Sequence, residues 1–125
     1  MSRNRILVVD DNAINLKVVR IALEVAGFDV HTAVDAETAV TLMAAFRPRL
    51  VLMDLQLPGM DGLDLTRRLK TDPTTKSAIV VAVTAYAMKG DEQRALDAGC
   101  DGYLTKPINT RTLAATVNRY LAEAG

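Results

Sequence analysis

The sequence has a single cysteine, Cys100, so no disulfide can form within the chain. Its setting, Ala-Gly-Cys-Asp-Gly, offers no metal-ligand spacing, and the thiol reads as a small structural side chain. An excess of charge is missing too: 15 Lys and Arg face 15 Asp and Glu. No surplus positive field is available to hold a polyanion, so nucleic-acid binding is not expected. Long apolar runs are also absent. Met-Ser-Arg-Asn-Arg leads straight into Ile6 to Val9, too short for a signal-peptide core or a membrane span, which places the chain in the cytoplasm with no membrane partner. Internal repeats, low-complexity tracts and Pro- or Ser-rich linkers do not occur, so nothing marks a second domain.

What remains is a chain of 125 residues, half of them apolar, enough to bury a core without disulfides or metals. One domain over 1–125 is the expectation. Short, nearly continuous apolar runs at Ile6 to Val9, Leu50 to Met53, Ile79 to Val83, and Tyr103 with Leu104 predict strands buried on both faces, with Phe28 to Ala33 a weaker fifth. Helical spacing appears between them: Ile14, Val18, Ile21 and Val25; Ala39, Leu42, Met43 and Phe46; Leu65 and Leu69; and Leu113, Val117, Tyr120 and Leu121. Asn12 and Asp35 stand where N-caps are wanted, Gly27 and Gly99 where helices end, and Pro48 just beyond Phe46. Alternating strands and helices imply right-handed βαβ units, hence an α/β fold: a doubly wound (βα)5 sandwich around a parallel sheet.

In such a sheet, ligands bind beyond the carboxyl ends of the strands. Asp10 and Asp11 end the first strand, Asp54 the third and Thr84 the fourth, while the fifth leads through Thr105 to Lys106. Singly, each has an ordinary use as a cap, a β-branched strand residue or a solvated charge. Gathered at one edge, they point to chemistry. Three neighbouring carboxylates repel one another and must bind protons or gather a cation. Mg²⁺, or Mn²⁺, suits oxygen ligands, with Asp11 and Asp54 as direct ligands and Asp10 reaching through water. The set also suits phosphoryl transfer, which needs in-line positioning and charge neutralisation. Asp54 would supply the nucleophilic oxygen, and Lys106 and the Thr84 hydroxyl would each take a phosphoryl oxygen.

Val-Val-Asp-Asp-Asn (8–12), Leu-Met-Asp-Leu-Gln-Leu-Pro-Gly-Met-Asp-Gly (52–62), Ala-Val-Thr-Ala (82–85) and Gly-Tyr-Leu-Thr-Lys-Pro (102–107) together resemble the receiver domains of bacterial two-component response regulators. The resemblance covers essentially the whole chain. Residues 82–91 are similar to those of stand-alone cell-fate regulators and of receivers attached to hybrid kinases. By this resemblance the strand order is 2-1-3-4-5 and the fold flavodoxin-like. Asp54 is the phosphoacceptor, Asp10 and Asp11 the acid pair, Lys106 the phosphoryl-binding lysine, and Thr84 the switch hydroxyl with Tyr103 as its aromatic partner. The carbonyl of Gln56 is the remaining protein ligand to the metal.

The implied donor is a histidine kinase or histidine phosphotransfer protein. The implied output is a protein target on the face of helix four, strand five and helix five, which holds Tyr103, Ala87, Met88 and Ile108. Gln56 and Tyr86 should flank the path of a hydrolytic water, so that bulk at Tyr86 prolongs the phosphorylated state. A monomer is expected, with phosphorylation-driven dimerisation left open.

Three other readings are weaker. An aspartyl-phosphate enzyme usually has a second carboxylate two residues after its nucleophile, where this chain has Gln56. An interaction module that had lost phosphorylation predicts a broken acidic site. A nucleotide- or flavin-binding relative needs a phosphate loop after strand one, where Asp10, Asp11 and Asn12 would repel the phosphate unless a metal intervened. His31 lies on the weak second strand, away from the acidic edge, and reads as a surface or edge residue.

Overall fold

The computed structural model describes residues 4–57, 61–85 and 90–124. Five strands alternate with five helices: β1 (Arg5–Val9), α1 (Ala13–Val25), β2 (Asp29–Ala33), α2 (Ala36–Ala45), β3 (Leu50–Asp54), α3 (Gly62–Thr71), β4 (Ile79–Thr84), α4 (Asp91–Asp97), β5 (Gly102–Thr105) and α5 (Leu113–Ala124). All pairings are parallel and the order is β2-β1-β3-β4-β5, the flavodoxin-like arrangement. β1 and β3 are therefore adjacent, which brings the carboxylates at their ends side by side.

The continuous apolar runs are explained by burial on both faces. Ile6, Val8, Leu50, Leu52, Val81 and Val83 point into a layer completed by α1 and α5. Their neighbours Leu7, Val9, Val51, Met53, Val80 and Ala82 point into the opposite layer under α2, α3 and α4. The two-residue alternation of a strand thus feeds both layers. Each fully buried Leu or Val contributes about 1.5–3 kcal/mol.

The caps behave as their side chains dictate. Asn12 Oδ1 accepts the amides of Ile14 and Asn15 at 2.9 and 3.0 Å, and Asp35 Oδ1 accepts that of Thr38 at 2.7 Å. Gly27 and Gly99 take φ of 99° and 106° at helix ends. α2 ends differently, with Arg47 in the left-handed region at φ 52° before Pro48.

α1 forms where the helical spacing places it, but with its other face to the sheet. Ile14, Val18, Ile21 and Val25, whose spacing suggests a core face, are 74, 48, 45 and 84 % exposed. The core receives Leu16, Val19 and Leu23 instead. The helix carries two apolar stripes, and the sheet takes the other one.

Elsewhere the helical spacing marks the buried side: Ala39, Met43 and Phe46 in and after α2, Leu65 and Leu69 in α3, and Leu113, Val117 and Leu121 in α5. His31 is an exposed residue of edge strand β2, stacked on Phe46 with ring centroids 3.8 Å apart. Cys100 is buried, its Sγ 3.9 Å from Thr66 Oγ1, and burial pushes its thiol above the usual range, so it is an inert core side chain. Among the described residues, no helix is long and apolar enough to cross a membrane.

Candidate phosphoacceptor site

Asp54 is the last residue of β3, and its side chain is only 4 % exposed. Parallel pairing places Met53 beside Val9 and Asp54 beside Val83, so the ends of β1, β3 and β4 meet at one edge. Asp10 follows β1 directly, and its amide donates to the carbonyl of Ala33 at 3.0 Å, extending the ladder by one residue. Asp10 is 7 % exposed, whereas Asp11 faces solvent. The carboxylate oxygens of Asp10, Asp11 and Asp54 lie within 4.8 Å of one another.

Lys106 is the cation set between the two buried acids. Its Nζ lies 3.1 Å from Asp54 Oδ2 and 3.2 Å from Asp10 Oδ2. Its backbone amide donates to the carbonyl of Thr84 at 2.7 Å, which fixes where β5 hands over to the lysine. The opposite oxygens are held by backbone: the amide of Asn12 donates to Asp10 Oδ1 and that of Gln56 to Asp54 Oδ1, each at 2.9 Å. Both carboxylates are thus oriented before any ligand arrives.

The electrostatics follow from this packing. Burial is the largest influence on Asp54 and raises its carboxyl above the usual range; the Gln56 amide and Lys106 pull it back, and the Asp10 charge pushes it up again. Burial pulls Lys106 down, but its hydrogen bonds to Asp54 and Asp10 and the attraction of both charges outweigh that and hold the ammonium above its ordinary value. A hard, oxygen-only donor set with three acids and one ammonium suits a divalent cation.

Gly62 governs where Asp54 sits. It opens α3, donates its amide to the carbonyl of Leu55 at 3.1 Å and receives the Thr66 hydroxyl on its own carbonyl at 2.8 Å. A Cβ there would lie 2.5 Å from the backbone oxygen of Asp54 and 2.7 Å from Cα of Leu55. Gly62→Ala must therefore move the loop after Asp54 or the start of α3, at an expected cost of about 1–3 kcal/mol. Urea unfolding of the variant measures it; unchanged stability would mean the loop yields freely. The sequence marks this glycine only as the end of the 52–62 motif; its close approach to Asp54 exists only once the chain folds back on β3.

The expected site residues come together in part. Asp10, Asp11, Asp54 and Lys106 share one edge, and Thr84 is buried at the end of β4 beside them. Gln56 is exposed just past Asp54, with its amide committed to that carboxylate. Tyr103 lies on β5, the strand next to that of Thr84, half-buried against the layer under α2 to α4. Tyr86, Ala87 and Met88 lie outside the described residues. A mostly apolar groove of about 470 Å³ opens on Asp54, Asp10 and Lys106, walled by Asn15 and Val18 of α1 and by Pro107 and Ile108 after β5.

Fold and site together define a flavodoxin-like α/β protein whose buried strand-end carboxylates, Asp10 and Asp54, converge on one half-buried lysine. The response regulator receiver domain family matches residues 6–118, and the chain belongs to it. The polar-differentiation response regulator DivK of Brucella anthropi is 40 % identical over 119 residues, 95 % of this chain and 97 % of that protein. A CheY-like receiver domain protein of Methanospirillum hungatei superposes with TM-score 0.90 at 31 % identity, covering 98 % of this chain and 97 % of that one. The chemotaxis regulator CheY4 of Vibrio cholerae gives 0.89 at 26 % identity, over 95 % of this chain and 99 % of its own. Receiver domains are phosphoacceptor signalling proteins of two-component systems, modified on an aspartate, rather than enzymes with a separate substrate.

Proposed function

We propose that Asp54 accepts a phosphoryl group from a phosphohistidine, carried by a histidine kinase or histidine phosphotransfer protein, and that the modified chain switches a protein-binding surface. The observation that carries this reading is the Asp54 carboxylate itself: buried, oriented by a backbone amide, and faced by one ammonium and two further acids. A carboxylate oxygen attacks phosphorus in line as the phosphorus–nitrogen bond of the donor breaks and the imidazole nitrogen keeps the electron pair. Lys106 gives its ammonium to one phosphoryl oxygen and the Thr84 hydroxyl donates to another. Asp11 and Asp54, the Gln56 carbonyl and, through water, Asp10 would hold Mg²⁺ or Mn²⁺, which would supply positive charge for the third oxygen. The chain catalyses only its own phosphorylation and dephosphorylation, with Gln56 and Tyr86 setting the lifetime. The groove beside α1 is the open approach to Asp54.

Phosphorylation exchanges one negative charge for roughly two and adds acceptor oxygens that draw Thr84 inward. Tyr103 follows, and the surface of α4, β5 and α5 that includes Ile108 changes shape toward its target. The test is intact-mass analysis after incubation with acetyl phosphate and Mg²⁺, beside Asp54→Asn and a metal-free control. The expected result is a Mg²⁺-dependent gain of one phosphoryl mass that the variant loses. No gain, from acetyl phosphate or from a phosphorylated kinase, would instead make the chain a phosphorylation-independent interaction module.

A further inference from the structure

At the end of the sheet remote from Asp54, two loops carry charge that the acceptor site does not use. Residues 46–49 lead from α2 into β3, and residues 72–78 lead from α3 into β4. They hold three cations, Arg47, Arg49 and Lys76, against one acid, Asp72. Asp72 is committed to its own loop, where its Oδ1 takes the Thr74 amide at 2.9 Å and the Thr74 hydroxyl at 2.7 Å. Between the loops lies a cavity of about 600 Å³, walled by both arginines and by Thr74, Thr75 and Ser77, with Met43, Pro48 and Ala78 as its apolar part.

The two arginines are held in different ways. Arg47 alone of the described non-glycine residues has a positive φ, 52°. Glycine takes that conformation without a Cβ penalty, so the fold bears a cost to keep an arginine there. This arginine has no hydrogen bond or ion pair among the described residues. Arg49 is fixed instead: its amide donates to the carbonyl of Arg5 at 2.8 Å, and its carbonyl accepts the Ile79 amide at 2.9 Å. Its guanidinium donates to Asn4 Oδ1 at 3.3 Å and to the Leu121 carbonyl at 3.5 Å. Of the three hydroxyls, that of Thr74 is given to Asp72 and that of Thr75 to the Leu69 carbonyl at 2.6 Å, which leaves the Ser77 hydroxyl as a donor.

We propose that this cavity binds a phosphate-bearing small molecule of nucleotide size. Arg47 and Arg49 take phosphate oxygens, the task to which guanidinium forks are suited, and the Ser77 hydroxyl donates to a further one. The apolar part receives the body of the ligand. The volume falls within the range of roughly 300–1,000 Å³ usual for small-molecule sites and exceeds what a bare phosphate fills. The five residues of β3 separate this end from Asp54 by roughly 17 Å at about 3.3 Å per residue, so binding requires neither phosphorylation nor the acidic cluster.

The test is isothermal titration calorimetry of the chain with ATP, pyrophosphate and adenosine, in EDTA so that no metal bridges a phosphate to the acidic cluster. ATP is expected to bind with Kd below about 1 mM, pyrophosphate at least about tenfold more weakly and adenosine not measurably, with ATP affinity falling as salt rises. Arg47→Gly keeps the left-handed turn with the residue that favours it, so its melting temperature should hold while ATP affinity drops at least about tenfold, the loss of one charge-assisted contact. Asp54→Asn should bind ATP as the parent does. Neither binding nor a melting-temperature shift at about 10 mM ATP overturns the proposal. So does an Arg47→Gly chain that binds as the parent does, or pyrophosphate or adenosine that matches ATP. Loss of ATP binding in Asp54→Asn would move the ligand to the acceptor site and overturn it as well. Phosphoryl uptake plays no part in these titrations, so they can fail while the phosphoacceptor reading stands.

Discussion

At neutral pH, Asp54→Asn is expected to be more stable than the parent chain while taking up no phosphoryl group. The carboxyl of Asp54 is buried, and burial is the leading cause of its raised pKa; the Gln56 amide and Lys106 offset this only in part, and Asp10 adds to it. The folded chain therefore holds this charge at a cost that the unfolded chain escapes. A group whose pKa is raised on folding contributes stability that is complete below its unfolded value of 3.8 and is lost as pH climbs through the folded value. Asparagine removes the ionisation and keeps an oxygen for the Gln56 amide. Its advantage should vanish in acid, open as pH rises above the ordinary carboxylate range, and level off at neutral pH. The expected size is on the order of 1 kcal/mol, or roughly 3–6 °C for a chain of this length. Urea unfolding of both proteins across that pH range measures it. A variant less stable at pH 7, or a gap indifferent to pH, would show that Asp54 is not held charged against its surroundings. Added Mg²⁺ should narrow the gap by stabilising the parent more, because the variant lacks one carboxylate of the cluster.

The conflict between stability and the proposed function at Asp54 also explains why the site was the most legible part of the sequence. A carboxylate that ends a run such as Leu-Val-Leu-Met interrupts burial at a defined place, and parallel pairing turns strand ends into neighbours. Asp10, Asp54, Thr84 and Lys106 each interrupt or follow such a run. The strand order was legible only through resemblance to the receiver family, since alternating strands and helices are compatible with several orders. The helix α1 was legible but its buried face was not: Leu16, Val19 and Leu23 repeat with the same helical period as Ile14, Val18, Ile21 and Val25, and periodicity cannot tell which stripe meets the sheet. α4 gave no readable face because it has only seven residues and starts at Gly90, φ 95°, without a side-chain cap. α2 ends on a left-handed Arg47 where a glycine would have announced the turn.

Lys106→Met is expected to slow phosphoryl uptake by about 10²–10³-fold, the usual effect of deleting a preorganised charge at a transition state. The same substitution should make the metal-free protein less stable and more dependent on a cation. With the ammonium gone, Asp10 and Asp54 face each other, held by the backbone amides of Asn12 and Gln56. Leaving a buried charge without its partner costs about 3–5 kcal/mol in full burial. Here the lysine side chain is 21 % exposed and Asp54 can relieve the repulsion by taking a proton, so about 1–3 kcal/mol is the reasonable expectation. Methionine retains much of the apolar stem, which limits any loss of packing. In the parent, Lys106 would compete with a metal ion for the same carboxylates, and the variant removes that competitor. Mg²⁺ should therefore raise the melting temperature of Lys106→Met more than that of the parent, even though the variant transfers phosphoryl groups more slowly. Uptake from acetyl phosphate at saturating Mg²⁺, with melting curves at increasing Mg²⁺, separates these effects. Undiminished uptake would remove Lys106 from the transfer step, and melting curves that ignore Mg²⁺ would mean that the three carboxylates do not hold the ion.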